Sequence, residues 1–368
     1  MAPMFSTALI GCGRVGALLE EDPLRKKPAS HMGGIKKIQS KVHSLTVCDI
    51  DEERLLHCKE KWEIQKGYLD YRELFSYEKP DIVVIATWTS THRDIALCAV
   101  ENGVKGIVLE KPVATDLEQA REIIDACKKH YVKLVVNHER RWDPLYKKTR
   151  EIVREKSLGE LKFIYGNVLC QSAPRGSWKA VLEEVGGGPL LHDGTHLVDM
   201  IRFFTGDIES VSGSVKRENP EAGVETTAAA MMQSLNGVNI FIETGGMRDY
   251  FNFELDLQFE KGRIKVGNGI REFYTSETST RYTGFRDLVK QEFPSFTRDS
   301  DPFSGAILEV MEAVEKDSVP ESSGVDGLKA MEIIFSIYYS AWLDGKKVTL
   351  PLMVSGHPLK KMFRTGMI

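Results

Sequence analysis

The spacing of apolar and polar residues changes between residues 155 and 160. Before this point, short continuous apolar runs alternate with longer amphipathic segments, a pattern typical of buried parallel strands joined by helices. Strands that alternate with helices indicate a parallel sheet in a doubly wound Rossmann domain. The predicted strands are TALIG, SLTVCD, DIVVIAT, GIVLEK and KLVVNH, and the predicted helices span 51–61, 91–101 and 116–129, with Asp51, Thr91 and Asp116 as their N-cap or first-turn residues.

Further along the chain, apolar segments follow one another and are separated only by turn-like pairs such as NG and KG. This order predicts a large, open and mostly antiparallel sheet. Two helices, near 303–317 and 325–343, close the chain, and a helix near 138–155 is expected to pass between the domains. We therefore predict an α/β protein with a Rossmann domain over residues 1–140 and an α+β domain over residues 141–368. The segments assigned to the second sheet are ELKFIYGNVL, IESVSGSVKR, TTAAAMMQSL, VNIFIETG, FNFELDLQFE and GRIKVG.

Composition narrows the class of protein. The 368 residues are 42% hydrophobic and 28% charged, and this length favours two cores over one. A formal net charge of −4, without a basic cluster interleaved with aromatics, argues against a nucleic-acid partner. No apolar stretch reaches about 18 residues, so we expect a cytoplasmic protein without a membrane partner. The six cysteines form no C-x-x-C pair and are expected to be small buried thiols.

The hexapeptide GCGRVG, residues 11–16, directly follows the first predicted strand. Three glycines at this spacing are a weak signal alone, but their place between a strand and a helix is that of a dinucleotide-binding loop. There Gly11 would make the tight turn, Gly13 would admit the pyrophosphate, and Gly16 would pack the helix against the sheet. The loop residues predicted to contact the cofactor are Gly11, Gly13, Arg14, Val15 and Gly16.

An acidic residue after the second strand is expected to accept hydrogen bonds from the adenosine ribose. Asp49 meets this requirement, although an elongated segment, EEDPLRKKPASHMGGIKK, places it further from the loop than the roughly 20 residues usual for the fold. Because Ile50 and not Arg or Ser follows, NAD is favoured over NADP. Arg54 and the basic residues of the inserted segment leave NADP open. The alternative role for Asp49 is to stabilise the start of the next helix.

Four segments occur in order along the chain: GCGRVG, ATWTSTHRDIALCAVENGVKGIVLEKPVATDLEQA, GGGPLLHDGTHLVDMIRFFTGDIESV and WLDGKKVTLPL. Together they resemble the glucose-fructose oxidoreductase, inositol dehydrogenase and MocA (Gfo/Idh/MocA) family from about residue 5 to residue 353. Each piece alone is common, whereas the combination is specific. The resemblance implies a nicotinamide-dependent oxidoreductase whose second domain binds substrate and forms oligomers.

The tripeptide EKP, residues 110–112, ends the fifth predicted strand, at the edge of the sheet where doubly wound folds place ligands. In the family this lysine lies beside the nicotinamide and the reacting carbinol, so the resemblance makes Lys111 a catalytic residue that contacts cofactor and substrate, with Glu110 beside the cofactor. A cation there stabilises a developing alkoxide. The family often has a cis peptide before this proline, which would fix the direction of the lysine. The alternative is a surface lysine before a loop proline.

The segment GGGPLLHDGTHLVD, residues 186–199, leads from a glycine run into a predicted helix that places His192 and His196 on one face. The resemblance makes His196 the general acid or base, a task that suits imidazole. Many family members carry an aspartate four residues earlier, where this chain has His192, and Asp193 is then the alternative orienting partner. A zinc ion shared by the two histidines lacks an evident third ligand, so no metal is expected.

The segment ATWTSTH resembles the stretch that lies along the cofactor in the family, which implies cofactor contacts for Thr87, Trp88 and His92. His92 is equally well explained as a helix-start residue bonded to the backbone. In VVNHERRWDP, Asn137 corresponds to a residue at the junction of the domains and is assigned to the cofactor.

Four further residues are implied as substrate contacts. Arg140 and Arg141 belong to the segment that lines the domain junction in the family. Arg175 and Trp178, in QSAPRGSWK, resemble basic and aromatic residues of members that oxidise sugar nucleotides. An irregular surface loop is the alternative for that segment.

These observations predict an NAD-dependent oxidoreductase that moves a hydride between nicotinamide and a secondary alcohol of a sugar, cyclitol or sugar derivative, with Lys111 polarising the oxygen and His196 moving the proton. Two alternatives stay open: a redox-assisted glycosidase of the same architecture, and a catalytically silent dinucleotide-binding scaffold.

The predicted second sheet also implies a partner. TTAAAMMQSL and VNIFIETG are apolar on both alternations, and no predicted helix covers one face of the sheet. We therefore expect a homodimer or homotetramer packed through that face.

Overall fold

The chain forms two compact units. The computed structural model describes residues 4–171, 181–297, 301–354 and 356–368. The first unit comprises Met1–Trp142 and Ser300–Leu328, and the second comprises Asp143–Asp299 and Lys329–Ile368.

Within the described residues, the first unit contains a six-stranded parallel sheet in the order β3-β2-β1-β4-β5-β6. The order reverses between β1 and β4, which is the topological switch point of a doubly wound fold. The predicted Rossmann architecture is therefore confirmed. The strands are β1 (Phe5–Ile10), β2 (Val42–Cys48), β3 (Lys66–Tyr68), β4 (Ile82–Ile85), β5 (Gly106–Leu109) and β6 (Lys133–Val136), and the helices are α1 (His31–Lys37), α2 (Glu52–Trp62), α3 (Tyr71–Glu78), α4 (Thr89–Glu101), α5 (Leu117–Lys129) and α10 (Pro302–Lys316).

Local signals explain where most of these helices begin. Asp51 and Asp116 accept hydrogen bonds from backbone N–H groups in the first turns of α2 and α5, as the sequence predicts. Thr91 lies in the first turn of α4, which begins at Thr89, two residues before the predicted start, and follows Trp88, whose side chain makes no capping hydrogen bond. The helices cover a sheet whose central strands are fully buried, so their continuous apolar runs are explained.

The second unit holds a larger sheet. In the part of the chain that the structure describes, it has nine strands in the order β14-β13-β12-β11-β7-β10-β9-β8-β15, and β7 and β10 form its parallel pair while the other neighbours are antiparallel. The strands are β7 (Leu161–Leu169), β8 (Ile208–Lys216), β9 (Thr227–Ser234), β10 (Asn239–Gly245), β11 (Asn252–Phe259), β12 (Gly262–Gly267), β13 (Ile270–Thr278), β14 (Arg286–Gln291) and β15 (Val348–Thr349). The helices are α6 (Pro144–Glu155), α7 (Leu182–Val185), α8 (Pro189–His192), α9 (Gly194–Thr205), α11 (Gly324–Trp342), which begins in the first unit, and α12 (Pro358–Arg364).

The two faces of this sheet differ. Along β9, Ala228, Ala230 and Met232 are buried, and Met231 between them is 49% exposed. On the face that Met231 shares, the rings of Tyr165 and Phe241 stack with their centroids 5.8 Å apart. The strands are thus half-buried in alternation, with an aromatic and methionine patch on the more open side.

Over the described ranges, none of the helices combines the length and the apolar character that crossing a bilayer requires.

Candidate active site

The glycine loop follows β1 and is shaped by close backbone contacts. Gly11 has φ of 97°, and a Cβ atom there would lie 2.5 Å from the Ala86 carbonyl oxygen. A Cβ atom on Gly16 would lie 1.9 Å from the carbonyl oxygen of Gly11. At Gly13, by contrast, a Cβ atom would meet nothing within 4 Å. The first and third glycines serve the fold, and the second leaves open space at the loop.

The segment after the loop corrects one expectation. Turns and a short 3-10 helix (Leu18–Glu21) follow Gly16 where an α-helix was predicted, and α1 begins only at His31. Pro23 and Pro28 in the inserted segment cannot donate backbone hydrogen bonds, which prevents a continuous helix there. Arg14 in the loop is exposed and Val15 is half-buried.

Asp49 comes directly after β2 and is buried against the glycine loop. Its Oδ2 accepts a hydrogen bond of 2.7 Å from the backbone N–H of Cys12, and Oδ1 accepts one of 2.9 Å from the N–H of Asp51. The guanidinium of Arg54, 39% exposed, donates to Oδ1 from two nitrogens at 3.1 and 3.3 Å. Asp51 caps α2, and Asp49 binds the N–H of this capping residue, so its carboxylate lies at the start of α2 as well as against the glycine loop.

The end of β4 carries the segment with Thr87, Trp88 and His92. Trp88 is 49% exposed, whereas His92 is buried on α4. The His92 Nδ1 lies 3.1 Å from the carbonyl oxygen of Pro112, and its Nε2 lies 3.3 Å from that of Thr87. Burial lowers the pKa of His92, which favours the neutral ring. His92 therefore joins the ends of β4 and β5 through the backbone, in agreement with the second of its two predicted roles.

Glu110 follows β5 and is buried. Its Oε1 lies 2.7 Å from His31 Nε2 and accepts a 2.6 Å hydrogen bond from Asn137 Nδ2, and its Oε2 accepts one of 3.2 Å from the backbone N–H of Lys111. Burial alone would raise the pKa of Glu110, but the hydrogen bond and charge of His31, the Lys111 cation and the Asn137 amide outweigh it and lower the pKa to about 2. Glu110 is therefore a carboxylate beside Lys111.

The surroundings of this carboxylate were only partly predicted. The resemblance predicts that Asn137 contacts the cofactor, and in the structure its amide nitrogen donates to Glu110. His31 was not singled out, because an isolated histidine in an inserted segment carries no signal of a partner 79 residues away. Asn137 Oδ1 and His31 Nδ1 are buried and have no hydrogen-bond partner among the residues that the structure describes. The peptide bond between Lys111 and Pro112 is cis, as the family resemblance implies.

The two predicted substrate contacts Arg140 and Arg141 differ in burial. Arg141 is buried, donates to the carbonyl oxygen of Glu321 and lies 3.5 Å from Asp326, so its guanidinium is engaged within the unit. Arg140 is half-buried. The predicted contacts Arg175 and Trp178 lie outside the described residues.

In the second unit, the segment with the two histidines corrects another expectation. A single helix was predicted, but α8 ends at His192 and α9 begins at Gly194, with Asp193 at the junction. Asp193 Oδ1 lies 3.4 Å from His192 Nδ1, and the N–H of His196 donates to the Asp193 carbonyl oxygen at 3.2 Å. His192 and His196 are both half-buried. In the described part of the chain, no group of three or more His, Cys, Asp or Glu residues has the arrangement of a metal site.

The residues of the first unit fit a dinucleotide. Gly13 leaves the space that a close approach of phosphate needs, and Asp49 offers a buried carboxylate at the end of the neighbouring strand. Lys111 and Glu110 follow β5 at the same carboxyl edge of the sheet. The sequence motifs therefore converge on one edge of the parallel sheet.

Comparisons with known proteins agree with this geometry. Residues 5–138 match the family model GFO_IDH_MocA, described as an oxidoreductase family with an NAD-binding Rossmann fold, and residues 146–265 match the GFO/IDH/MocA C-terminal domain. D-apiose dehydrogenase from Paraburkholderia graminis is 24% identical in an alignment 385 positions long, which covers 99% of this chain and 94% of that protein. Myo-inositol 2-dehydrogenase from Thermotoga maritima is 27% identical over 329 residues, which cover 88% of this chain and 92% of that protein.

A solved structure supports the fold over almost the whole chain. The WlbA dehydrogenase from Bordetella pertussis, crystallised with NADH and UDP-GlcNAcA, superposes with a TM-score of 0.76 at 22% identity and covers 95% of this chain and 99% of that chain. The predicted recognition and fold class are therefore confirmed. The chain belongs to the Gfo/Idh/MocA family of NAD-binding oxidoreductases, which act on CH–OH groups.

Proposed function

We propose that this protein oxidises a secondary alcohol of a sugar, cyclitol or sugar derivative with NAD, or reduces the corresponding ketone with NADH. The observation that carries the proposal is the Glu110–Lys111 pair after β5, where a buried carboxylate with a pKa of about 2 adjoins a lysine. When bound, the nicotinamide would supply the hydride acceptor or donor. The names of the relatives, which cover D-apiose and myo-inositol, support a polyol as substrate.

Lys111 is proposed to bind the reacting oxygen. Its backbone N–H donates to Glu110, and the next peptide bond leads into Pro112, whose carbonyl oxygen accepts from His92 when Nδ1 carries the ring proton. These contacts hold the backbone on both sides of Lys111. An ammonium group at this position stabilises negative charge on an alcohol oxygen as its proton leaves.

His196 is proposed to take and return the hydroxyl proton. Its ring is half-buried in the first turn of α9, and the unperturbed pKa of imidazole, about 6.5, suits proton exchange near neutral pH. Asp193 lies beside His192, so we assign His192 and Asp193 to orienting the substrate and the proton-transfer group.

NAD is proposed as the cofactor in preference to NADP. A buried carboxylate at Asp49 accepts hydrogen bonds from ribose hydroxyls and repels a 2′-phosphate. Arg54 lies on the same carboxylate and is the cation that would meet a 2′-phosphate, so the balance between these two side chains sets the preference.

The patch around Met231, Phe241 and Tyr165 supports a homodimer or homotetramer. Stacked aromatic rings next to a half-exposed methionine form an apolar surface on a broad sheet, which a second copy of the chain would cover.

The test is turnover of a panel of inositols, pentoses, hexoses and sugar nucleotides with NAD, followed by absorbance of NADH. We expect at least one polyol to reduce NAD, Lys111→Met and His196→Gln to lower kcat by about 10²- to 10⁴-fold, and His196→Gln to leave the affinity for NADH unchanged. Lys105→Met, at an exposed lysine before β5, serves as the control. A wild-type protein that binds NADH and turns over no polyol would contradict the proposal. Cleavage of glycosides without net reduction of NAD would instead favour a redox-assisted glycosidase.

A further inference from the structure

Three consecutive glycines precede the histidine segment, and each meets a different constraint. Gly186 has φ of 76°, a conformation that favours glycine. A Cβ atom on Gly187 would lie 2.5 Å from the hydroxyl oxygen of Tyr338, and one on Gly188 would lie 2.1 Å from the carbonyl oxygen of Glu225. The run is therefore packed against two residues from distant parts of the second unit, Tyr338 and Glu225.

Glu225 binds this run directly. Its Oε2 accepts a 2.6 Å hydrogen bond from the N–H of Gly188, and its Oε1 accepts one of 3.1 Å from Leu190 and one of 2.8 Å from the Tyr338 hydroxyl. Glu225 and Tyr338 are both 0% exposed. Three donors thus converge on a carboxyl group that water does not reach.

A second contact holds the start of the same run. His357 Nε2 lies 2.7 Å from the carbonyl oxygen of Gly186, and the His357 ring is stacked on that of Tyr338 with centroids 6.5 Å apart. The anchors therefore come from α11, from Glu225, two residues before β9, and from the residue before α12.

Backbone hydrogen bonds connect the glycine run, residues 186–188, to His192 and His196. The N–H of His192 donates to Gly188 at 2.9 Å, that of Asp193 donates to Pro189 at 3.1 Å, and that of His196 donates to Asp193 at 3.2 Å. A displacement of Gly188 would therefore move both histidines.

Building a turn does not require a buried acid, since desolvation of its carboxylate is unfavourable. We propose that Glu225 and Tyr338 are positioning residues that hold residues 186–188 and thereby fix where His192 and His196 lie. The proposal rests on the proposed function, since it takes these histidines as the groups that handle the proton.

The groups around the Glu225 carboxyl group allow its titration to be used as a test of the contact with Tyr338. Burial raises the pKa of Glu225 to about 7, against the opposing hydrogen bonds from Gly188, Tyr338 and Leu190. Tyr338 faces it from α11, with His357 behind the tyrosine ring, and the glycine run and α8 present backbone N–H groups. Loss of the tyrosine hydroxyl would raise the pKa of Glu225 further, because that hydroxyl stabilises the ionised form.

The test compares Tyr338→Phe and Glu225→Gln with two controls, Tyr339→Phe at the next, half-buried tyrosine and Glu209→Gln at an exposed glutamate of β8. Amide hydrogen exchange is measured over residues 186–196 by mass spectrometry, and imidazole signals are followed against pH by NMR. We expect Tyr338→Phe to speed amide exchange in this segment about tenfold. We also expect the pH-dependent change in the chemical shifts of His192 or His196 to have its midpoint at a higher pH than in the wild type. The dissociation constant for NADH is expected to stay within about twofold.

A rescue experiment guards against simple misfolding. Gly187→Ala places its methyl group against the Tyr338 hydroxyl, so we expect faster exchange in 186–196, and the double variant Gly187→Ala/Tyr338→Phe should exchange more slowly than Gly187→Ala alone. With a polyol that the wild type oxidises, Tyr338→Phe should lower kcat about tenfold at unchanged KM.

Exchange and histidine titration in Tyr338→Phe identical to those in Tyr339→Phe would overturn the proposal. A wild type without polyol turnover would overturn the proposed function instead, and the exchange and titration data would still decide whether Glu225 and Tyr338 hold the segment.

Discussion

The imidazole Nε2 of His31 lies 2.7 Å from Oε1 of Glu110, and both side chains are buried. His31 is the first residue of α1, in the segment that lengthens the connection between β1 and β2. This insertion therefore does more than extend a loop. It supplies a ring that packs edge-on against Phe303, with centroids 5.2 Å apart, and that holds the carboxylate next to Lys111.

The first prediction concerns His31→Leu. Removing the ring leaves Glu110 with one hydrogen-bond donor fewer in a buried site, so the free energy of unfolding at pH 7 should fall by about 2–4 kcal/mol. Urea denaturation measures this loss, and His43→Leu, at an exposed histidine of β2, is the control. Equal denaturation midpoints for the two variants would show that the His31–Glu110 contact contributes nothing.

A pair of glycine variants separates folding from cofactor binding. Gly13→Ala should leave the thermal midpoint unchanged, because its methyl group meets no atom of the described residues within 4 Å. The same variant should raise the dissociation constant for NADH about tenfold or more, because the methyl group occupies space that a phosphate would need. Gly16→Ala, whose methyl group overlaps the Gly11 carbonyl oxygen, should lower stability by about 3 kcal/mol. Calorimetry and NADH fluorescence measure the two effects. Normal NADH affinity in Gly13→Ala would remove this loop from the cofactor site.

The Asp49–Arg54 contact makes a prediction about cofactor choice. The wild type should bind NADH more tightly than NADPH. Arg54→Ala should weaken NADPH binding about tenfold, because the guanidinium pairs with a phosphate and not with a hydroxyl. NADH binding by this variant should change by less than about twofold. Fluorescence titration with both cofactors tests this, with Arg72→Ala, at an exposed arginine of α3, as the control. Tighter binding of NADPH by the wild type would reverse the assignment.

Sequence reasoning succeeded where the signal is local. Asp51 and Asp116 cap helices within their own first turns, and the apolar runs of the central strands are buried as predicted. It missed β13 and β14 because β13 is mostly half-buried, β14 is mostly exposed, and neither alternates apolar and polar residues regularly, so no period-two pattern marks them.

The parts of the site that depend on distant contacts were out of reach. His31 meets Glu110 across 79 residues, and Glu225 meets Tyr338 across 113. Neither pair leaves a pattern in the neighbouring sequence, because the contact exists only once the sheet has brought the segments together. The break at Asp193 was missed for a different reason: His192 and His196 have helical spacing, and the spacing alone does not reveal that one helix ends between them.

The free energy of unfolding should depend on pH through two buried carboxyl groups whose effects have opposite signs. The pKa of Glu110 is depressed from 4.5 to about 2, so its contribution is present above pH 4.5 and is lost as the pH falls toward 2. The pKa of Glu225 is raised from 4.5 to about 7, so its contribution is present below pH 4.5 and is lost as the pH rises through 7.

Glu225→Gln isolates the second effect. Between pH 5 and pH 8 the free energy of unfolding of the wild type should fall, relative to that of Glu225→Gln, by an amount on the order of 3 kcal/mol. Urea titrations at half-unit steps of pH measure the two slopes. Parallel curves for both proteins would mean that the Glu225 carboxyl group titrates alike in the folded and unfolded chains.

The final prediction concerns the open face of the large sheet. Met231 is 49% exposed beside the stacked Tyr165 and Phe241, and a lysine there would place an unpaired charge in the centre of a dimer interface while leaving the folded monomer free to hydrate it. We therefore expect Met231→Lys to convert a dimer or tetramer at about 10 μM into smaller species, as measured by light scattering, with an unchanged thermal midpoint for the monomeric unfolding step. Met353→Lys, at a methionine that is 88% exposed, is the matched control and should keep the wild-type mass. If the wild type is itself a monomer at this concentration, the apolar patch is not a self-association surface, and the proposal that a second copy covers it fails.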